Sequence, residues 1–160
     1  MGTVVSTIVD LFLTRIADWQ LNEIFVNSGS MVLNEYCEPW VRSAVVEFSP
    51  ECNQTLSYVV TSGSVEGYFT EDLNEENQIV LSRLVTKYWL EKQIKDRLQM
   101  SNFVTDRDLK TYSAAQNLKS KQDYYNVIVE ELDTLLNRYA YRNNDWSDWQ
   151  SQNFDHGVST

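Results

Sequence analysis

The longest helical pattern in the chain, residues 74–100, constrains the fold more than any other feature. Its apolar residues recur mostly three or four positions apart, it contains no Gly or Pro, and most of its charged residues fall between the apolar ones. Asn74 is a suitable N-cap, and Glu75 and Glu76 follow in the first turn, where the helix dipole favours carboxylates. At about 1.5 Å per residue this helix would span roughly 40 Å, the width of a small domain. We therefore expect this helix to lie at the centre of the fold, with the other elements packed against it.

Length and composition place the chain among single-domain globular proteins. It has 160 residues, 42 % hydrophobic and 22 % charged, with a net charge of −10. That charge argues against binding the outside of nucleic acid by counterion release, although the chain could face nucleic acid without holding it. Cys37 and Cys52 lack CxxC spacing and are expected to be reduced thiols in a cytosolic protein. We expect neither a signal peptide nor a membrane span.

Two helices are predicted in the first third of the chain. The first covers residues 3–25, along which an apolar stripe continues. Turn residues at 27–30 interrupt the pattern, and a second helix is predicted from about residue 30 to residue 48. Pro39 lies inside the second helix and is expected to kink it or to mark its true start.

A β-hairpin is predicted at about residues 55–69, because the period there changes from helical to alternating. Its strands should be about five residues long, with a turn at 62–64. Two strands alone are marginal in water, so the hairpin must lean on the helices or pair with another chain. Tyr58, Tyr68 and Phe69 are the predicted contact residues of the hairpin.

The last helix is predicted from about residue 113 to residue 142, after a connector at 101–111. Its apolar pattern covers only about two heptads, which favours antiparallel packing on the central helix over a free coiled coil. The predicted fold is therefore mainly α: an antiparallel helical bundle around one long central helix, with a small β-hairpin and an extended C-terminal tail. This divides the chain into a helical domain, 1–142, and a polar tail, 143–160.

The tail carries Trp146, Trp149 and Phe154 among polar and acidic residues. Aromatic residues in such a segment are typical of a peptide that docks into the grooves of another protein. The alternatives are a tail that folds back over its own core and a tail that stays free with its tryptophans exposed. The only histidine, His156, also lies in the tail, and we interpret it as a solvated side chain.

No residue pattern indicates catalysis, a metal site or a cofactor. The sequence contains no glycine-rich phosphate loop, nucleophile elbow or HExxH motif, and no histidine that could join a catalytic triad. Two acidic clusters have carboxylates of the kind that bind hard cations, but their spacing is not a ligand pattern, so a solvated face is favoured. These clusters are Glu71, Asp72, Glu75 and Glu76, and Glu130, Glu131 and Asp133. We predict that the protein is not an enzyme.

The order of the predicted elements resembles that of the head–tail connector (neck or adaptor) proteins of tailed bacteriophages. The resemblance covers about residues 6–142 and consists of packing and capping patterns. It centres on the start of the long helix, on a tryptophan and a leucine near its middle, and on the SAAQNL stretch at the start of the last helix. The residues concerned are Phe69, Asp72, Leu73, Glu75, Glu76, Trp89, Leu90 and the stretch 113–118.

The resemblance implies a structural virion protein located in the neck and assembled in the host cytoplasm. It implies a cyclic homo-oligomeric ring, expected to be a dodecamer, below the portal protein and in contact with the next neck or tail protein. DNA would pass through the ring without specific binding, and a negatively charged lumen would keep the duplex from sticking. The ring contacts are expected on the polar and aromatic flanks of the central and last helices. The candidate lumen or acidic-face residues are Glu71, Asp72, Glu75, Glu76, Glu130 and Glu131.

The alternative function is a small acidic cytosolic helical adaptor or a regulatory protein that mimics nucleic acid. A ring lumen needs its carboxylates on one narrow face, whereas a mimic needs them spaced like phosphates over a broad one. A metal-dependent enzyme that uses the same carboxylates is the third and weakest interpretation.

Overall fold

The computed structural model describes residues 2–16, 18–60, 65–103 and 110–143. Within these ranges the chain is mainly helical and has one small two-stranded antiparallel sheet, which confirms the coarse fold prediction. The elements in chain order are α1 (Val5–Leu13), α2 (Trp19–Phe48), β1 (Tyr58–Val59), β2 (Tyr68–Phe69), α3 (Glu75–Phe103) and α4 (Lys110–Asn143).

The predicted central helix corresponds to α3, which begins one residue after its cap and ends three residues beyond the predicted end. The Asn74 side chain accepts a hydrogen bond from the Asn77 backbone N–H at 2.8 Å, which confirms the predicted N-cap. Val80, Leu81 and Leu84 are fully buried. Helix α3 packs against α1, α2 and α4, so its buried residues meet three neighbouring helices.

The prediction of one helix over residues 3–25 is wrong, because α1 ends at Leu13 and a new helix begins at Trp19. The Asp18 carboxylate accepts hydrogen bonds from the backbone N–H groups of Gln20, at 2.8 Å, and Leu21, at 3.3 Å. Asp18 is therefore an N-cap, which favours a helix start over helix continuation. The predicted apolar stripe of residues 3–25 continues at Trp19 or Gln20, but Trp19 is 70 % exposed.

Helix α2 changes direction at Gly29, inside the predicted break at 27–30. Gly29 has φ 84° and ψ 173°, a conformation that glycine adopts without a Cβ penalty. The predicted kink at Pro39 is wrong: within α2, all of which is described, only Gly29 departs from helical dihedrals. Pro39 is exposed and removes one backbone donor without breaking the helix. Below, residues 19–28 are called the α2 arm and residues 30–48 the α2 body.

The α2 body and α1 supply much of the core. The centre of the Phe12 ring of α1 lies 6.2 Å from the centre of the Trp40 ring and 6.0 Å from that of the Trp89 ring of α3. Cys37 is buried, Cys52 is half-buried, and both thiols are free. The buried apolar residues of the α2 body are Leu33, Cys37, Trp40, Val41, Ala44 and Phe48.

The hairpin strands are two residues long, so the prediction of about five residues a side is wrong. Tyr58 lies opposite Phe69 and Val59 opposite Tyr68, in antiparallel register. Val4 forms an isolated antiparallel bridge with Tyr68 on the other side of β2. The N-terminal residues thereby supply the extra support that a two-stranded hairpin needs. The predicted turn at 62–64 lies outside the described residues.

Helices α3 and α4 contact each other through a series of polar pairs. Contacts nearer the C-terminus of α3 involve residues nearer the N-terminus of α4, so the two helices run in opposite directions. The pairs are Glu76 with Arg142, Arg83 with Glu131 at 3.1 Å, Glu91 with Tyr125 at 3.0 Å, and Gln93 with Lys121 at 2.9 Å. Between these pairs, Ile128, Leu132 and Tyr139 of α4 are buried.

Candidate functional site

A network of hydrogen bonds fixes the C-terminal end of α4 to the loop that follows α2. The Asn53 backbone N–H donates to the Tyr139 hydroxyl oxygen at 2.8 Å, and that hydroxyl donates to the Asn53 Oδ1 at 2.6 Å. Asn77 Nδ2 donates to Asn53 Oδ1 at 3.1 Å and to Gln54 Oε1 at 2.7 Å, and Asn53 Nδ2 donates to Asn143 Oδ1 at 2.9 Å. We call these five residues the polar latch.

The polar latch is a hydrogen-bond network that joins elements of the fold. Tyr139 is fully buried, and burial raises the pKa of Tyr139 to about 12, so its hydroxyl stays protonated at neutral pH. The latch holds the α4 terminus against the start of α3, at the point where the chain continues into the tail. The sequence does not single out these residues, because Asn and Gln in a loop give no periodic signal.

A second polar group joins the α2 body to α3. The Glu47 carboxylate accepts hydrogen bonds from Lys87 Nζ at 2.7 Å and from the Tyr88 hydroxyl at 2.6 Å. Burial by itself would raise the pKa of Glu47, but the bonds from Lys87 and Tyr88 outweigh it and hold that pKa below its ordinary value. Burial, and then Glu47, raise the pKa of Tyr88. Glu47 is therefore an ionised group that positions two helices.

Two lysines lie over aromatic rings beyond this group. Lys92 Nζ is 5.0 Å from the centre of the Tyr36 ring and 5.6 Å from that of Trp40. It also donates to the Tyr36 hydroxyl at 3.2 Å. Lys121 Nζ lies 6.0 Å from the centre of the Trp89 ring. These cation–π contacts fix the positions of the two lysines without neutralising their positive charges.

The predicted acidic-face residues do not form one uniform surface. Arg142 pairs with Glu76, and Arg83 pairs with Glu131 across the α3–α4 contact. Asp72 accepts a hydrogen bond from the Thr3 hydroxyl at 3.2 Å. Of the predicted set, Glu71, Asp72, Glu75, Glu130 and Glu131 are exposed and Glu76 is half-buried. Within the described residues, no group of three or more His, Cys, Asp or Glu side chains is placed to hold a metal ion.

The predicted hairpin residues face two directions. Phe69 is fully buried, and the half-buried Tyr58 packs on it with ring centres 5.4 Å apart. Burial, and then the neighbouring Glu38, raise the pKa of Tyr58. Tyr68 points outward and is 39 % exposed. Val59 and Val4, which pair with Tyr68, lie on the same side, and the nearby Val60 and Val65 are also exposed. These residues together are called the hairpin surface: Val4, Val59, Val60, Val65 and Tyr68.

The α2 arm displays large apolar side chains that sequence reasoning missed. Leu21 is buried and Ile24 is half-buried, and these two attach the arm to the core. Trp19, Phe25 and Val26 are 70 %, 51 % and 71 % exposed. The turn residues at 27–30 were the one available signal, because they separate this segment from the helix that packs.

Helix α4 exposes three more large apolar or aromatic side chains. Tyr124, Val127 and Tyr141 are 38 %, 48 % and 71 % exposed. At 100° per residue these three positions fall within an arc of roughly 100° around the helix, and the exposed Glu131 and Arg138 lie on the same arc between Val127 and Tyr141. We call Tyr124, Val127 and Tyr141 the α4 stripe. They lie on a flank of the last helix, the region where ring contacts are predicted.

The predicted docking residues Trp146, Trp149 and Phe154, together with His156, lie outside the described residues. The described chain ends at Asn143, which the polar latch holds. Of the helices that the structure describes, none is both long enough and apolar enough to cross a membrane.

The chain matches no family model, no curated protein and no solved structure. Its functional assignment therefore depends on the residues and surfaces described above.

Proposed function

We propose that this chain is a structural subunit of the head–tail connector of a tailed bacteriophage, one copy in a ring below the portal through which DNA passes. The observation that carries the proposal is the presence of large exposed apolar side chains in three separate places: the α2 arm, the hairpin surface and the α4 stripe. Exposed apolar side chains that lie together mark sites of protein–protein contact. A ring subunit needs two different surfaces for its two neighbours and others for the components above and below.

The proposed subunit is an antiparallel helical bundle around α3. The contacts of α3 with three helices and the opposite directions of α3 and α4 support this arrangement. The polar latch and the Glu47–Lys87 pair add fixed points between elements. A rigid subunit suits the proposal, because a ring closes only when every copy holds its two contact surfaces at the same angle.

The charge of the chain suits DNA that passes without being held. A ring of chains that each carry −10 repels phosphate, although salt limits this effect to about 10 Å. Of the six proposed lumen residues, Glu76 and Glu131 are paired with arginines. The four outside these two ion pairs are Glu71, Asp72, Glu75 and Glu130.

The tail is the proposed docking element towards the portal, a neighbouring subunit or the next neck or tail protein. It consists of 17 residues after Asn143, which could reach up to roughly 55 Å if fully extended. The polar latch supports this role, since it fixes the point from which the tail leaves the domain. Trp146, Trp149 and Phe154 would supply the aromatic anchors.

The alternative, an acidic adaptor that mimics nucleic acid, takes its support from the net charge of −10. A mimic presents unpaired carboxylates to a basic partner. The arginine pairs of Glu76 and Glu131 remove two candidate carboxylates from a lumen and from a mimic alike, so the preference for the connector rests on the exposed apolar side chains.

The mass of the purified protein in solution, alone and mixed with candidate portal proteins, tests the proposal. We expect either a discrete ring or a monomer that joins a portal-sized particle. A monomer or dimer that ignores portals and competes with DNA for a basic protein would replace the connector by the mimic.

A double substitution, Trp146→Ala with Trp149→Ala, tests the docking role of the tail. We expect it to abolish joining to the portal. The matched control, Gln150→Ala with Gln152→Ala, changes the same segment without removing an aromatic ring, and portal joining should survive it. Equal losses in both variants would argue against aromatic anchors.

A further inference from the structure

The α3–α4 pair carries opposite charge at its two ends. Since the two helices run in opposite directions, residues 71–86 lie beside 130–143, and residues 87–103 lie beside 110–123. The first pair of segments, the acidic end, contains seven Asp and Glu against three Lys and Arg. The second pair, the basic end, contains seven Lys and Arg against three Asp and Glu. Of the two ends of the described α3–α4 pair, the basic end therefore has an excess of positive charge, although the whole chain carries −10.

The charges available for an outside partner differ from the total count. At the acidic end, Glu71 and Glu75 are exposed, and neither side chain belongs to the arginine pairs described above. At the basic end, the Lys95 side chain is 72 % exposed and forms an ion pair with Glu91, at 3.5 Å on its own helix. Lys119 is exposed on α4.

The two ends are far enough apart to act independently. Glu75 and Lys95 are separated by 20 positions on one helix, which corresponds to about 30 Å. The Debye length in physiological salt is about 8 Å, so neither end neutralises the other.

We propose that the basic end of one copy docks on the acidic end of a second copy, in a head-to-tail contact centred on Lys95 and Lys119 against Glu71 and Glu75. This inference rests on the proposed ring of identical subunits, and it moves Glu71 and Glu75 from the lumen to the contact between copies, so that Asp72 and Glu130 remain as the proposed lumen residues. Two chains of −10 repel each other overall, so electrostatic attraction between copies requires an orientation that opposes the basic end to an acidic surface. The acidic end supplies that surface with a matching excess of charge. The same repulsion disfavours duplex DNA as the occupant.

A head-to-tail contact uses two different surfaces, so each copy offers one to each neighbour. Such a contact closes into a ring when the rotation between neighbours closes, and otherwise gives an open filament. It also leaves the α2 arm, the hairpin surface and the α4 stripe to strengthen the contact or to bind other components.

A charge-swap experiment tests the contact. One variant, Lys95→Glu with Lys119→Glu, leaves the basic end with five Lys and Arg against five Asp and Glu and reverses the charge at the centre of the contact. The other, Glu71→Lys with Glu75→Lys, does the same at the acidic end. We expect each variant alone to lose self-association by on the order of tenfold or more in dissociation constant. An equimolar mixture should recover it, because the unaltered ends of the two variants meet each other and the reversed charges at positions 95 and 119 meet the reversed charges at positions 71 and 75. Sedimentation or single-particle mass measurement at low salt, alone and with the portal, gives the readout.

The control variant, Asp10→Lys with Glu35→Lys, separates local docking from net charge. Both carboxylates are exposed, one on α1 and one on α2, and this variant changes the net charge by the same amount as Glu71→Lys with Glu75→Lys. If only net charge mattered, both variants would associate more strongly than the wild type. Head-to-tail docking predicts weaker association for the acidic-end variant alone. Melting temperatures of all variants show whether each is folded.

Rings of unchanged mass and salt dependence in both reversal variants would overturn the contact and leave the connector proposal standing. A wild-type chain that stays monomeric with and without portals would overturn both. Binding of duplex DNA that is lost in Lys95→Glu with Lys119→Glu, without any self-association, would replace the second copy by a phosphate-bearing partner.

Discussion

The two halves of α2 have similar apolar content but opposite surroundings. One face of the α2 body buries large side chains, including Trp40 and Phe48, against the core. The α2 arm leaves Trp19 and Phe25 more than half exposed on the other side of Gly29. Hydrophobic content alone therefore does not distinguish a core segment from an interaction surface in this chain. What distinguishes them is whether α3 and its neighbours lie against the segment.

The largest expected effect comes from the buried half. Phe48→Ala should lower the free energy of unfolding by about 3–5 kcal/mol, because the ring is 1 % exposed and packs 5.1 Å from the Tyr139 ring. The same change in the arm, Phe25→Ala, should cost no more than about 0.5 kcal/mol. Urea denaturation of both variants measures the difference, and equal losses would break the comparison.

Tyr139→Phe tests the polar latch that holds α4 beside the α2 body. The substitution removes a hydroxyl that donates to and accepts from Asn53, and should cost about 1–2 kcal/mol. Because the pKa of Tyr139 is raised to about 12, its neutral form is favoured in the folded state. This contribution is complete below pH of about 10 and is lost as pH rises towards about 12.

The Tyr139→Phe variant should therefore lose less stability between those pH values than the wild type does. Burial also raises the pKa of Tyr58 and Tyr88, so part of the alkaline loss should persist in the variant. Thermal unfolding across this pH range gives the result. An unchanged alkaline slope would mean that Tyr139 is not linked to folding.

Gly29→Ala tests the boundary between the two halves. Gly29 has φ 84° and ψ 173°, so alanine at this position should lower the free energy of unfolding by about 1–3 kcal/mol. No atom lies within 4 Å of the added Cβ, so this loss would come from backbone strain and not from a steric clash. The neighbouring exposed Ser30→Ala is the matched control and should change the stability by less than about 0.5 kcal/mol. Chemical denaturation of the two variants compares them. A neutral Gly29→Ala would show that the bend does not depend on glycine.

Sequence reasoning predicted the elements better than their boundaries. Asn74 was recognisable as a cap because a carboxylate-rich first turn and a regular apolar pattern follow it. Asp18 was missed because Ile16 and Trp19 happen to continue the spacing of α1, and periodicity does not show whether a position is buried. The turn residues predicted the break at 27–30. The positive φ of Gly29 in the structure then showed at which of these residues the helix bends.

The interaction surfaces were harder to predict than the helices. Exposure of Phe25 or Tyr124 depends on which helices lie nearby, and this is a property of tertiary packing. The polar latch joins Asn53 to Tyr139, 86 positions away, so no local pattern could reveal it. The charge excess at each end was present in the sequence but gained meaning only when α3 and α4 were found to run in opposite directions.

Glu47→Gln tests the ion pair between the α2 body and α3. At neutral pH we expect a loss below about 1 kcal/mol, because the pair is partly solvated. The pKa of Glu47 is held below its ordinary value of 4.5, so its contribution is present above that pH and is lost as pH falls through the lower folded-state pKa. Acid unfolding curves should be flatter for Glu47→Gln than for the exposed Glu35→Gln. Identical curves would argue that Glu47 is not linked to acid stability.

The smallest effect on folding, and the sharpest test of the comparison, comes from two valines of α2. Val26 in the arm is 71 % exposed and Val46 in the body is 75 % exposed. Val26→Asn and Val46→Asn should each change the unfolding free energy by no more than about 0.5 kcal/mol, because neither side chain is packed. If the arm is a subunit or portal contact, Val26→Asn weakens assembly while Val46→Asn leaves it intact. Equal assembly in both variants would mean that the exposed arm is a consequence of the bend at Gly29 and binds nothing, and the ring contacts would then have to come from the charged ends of the α3–α4 pair.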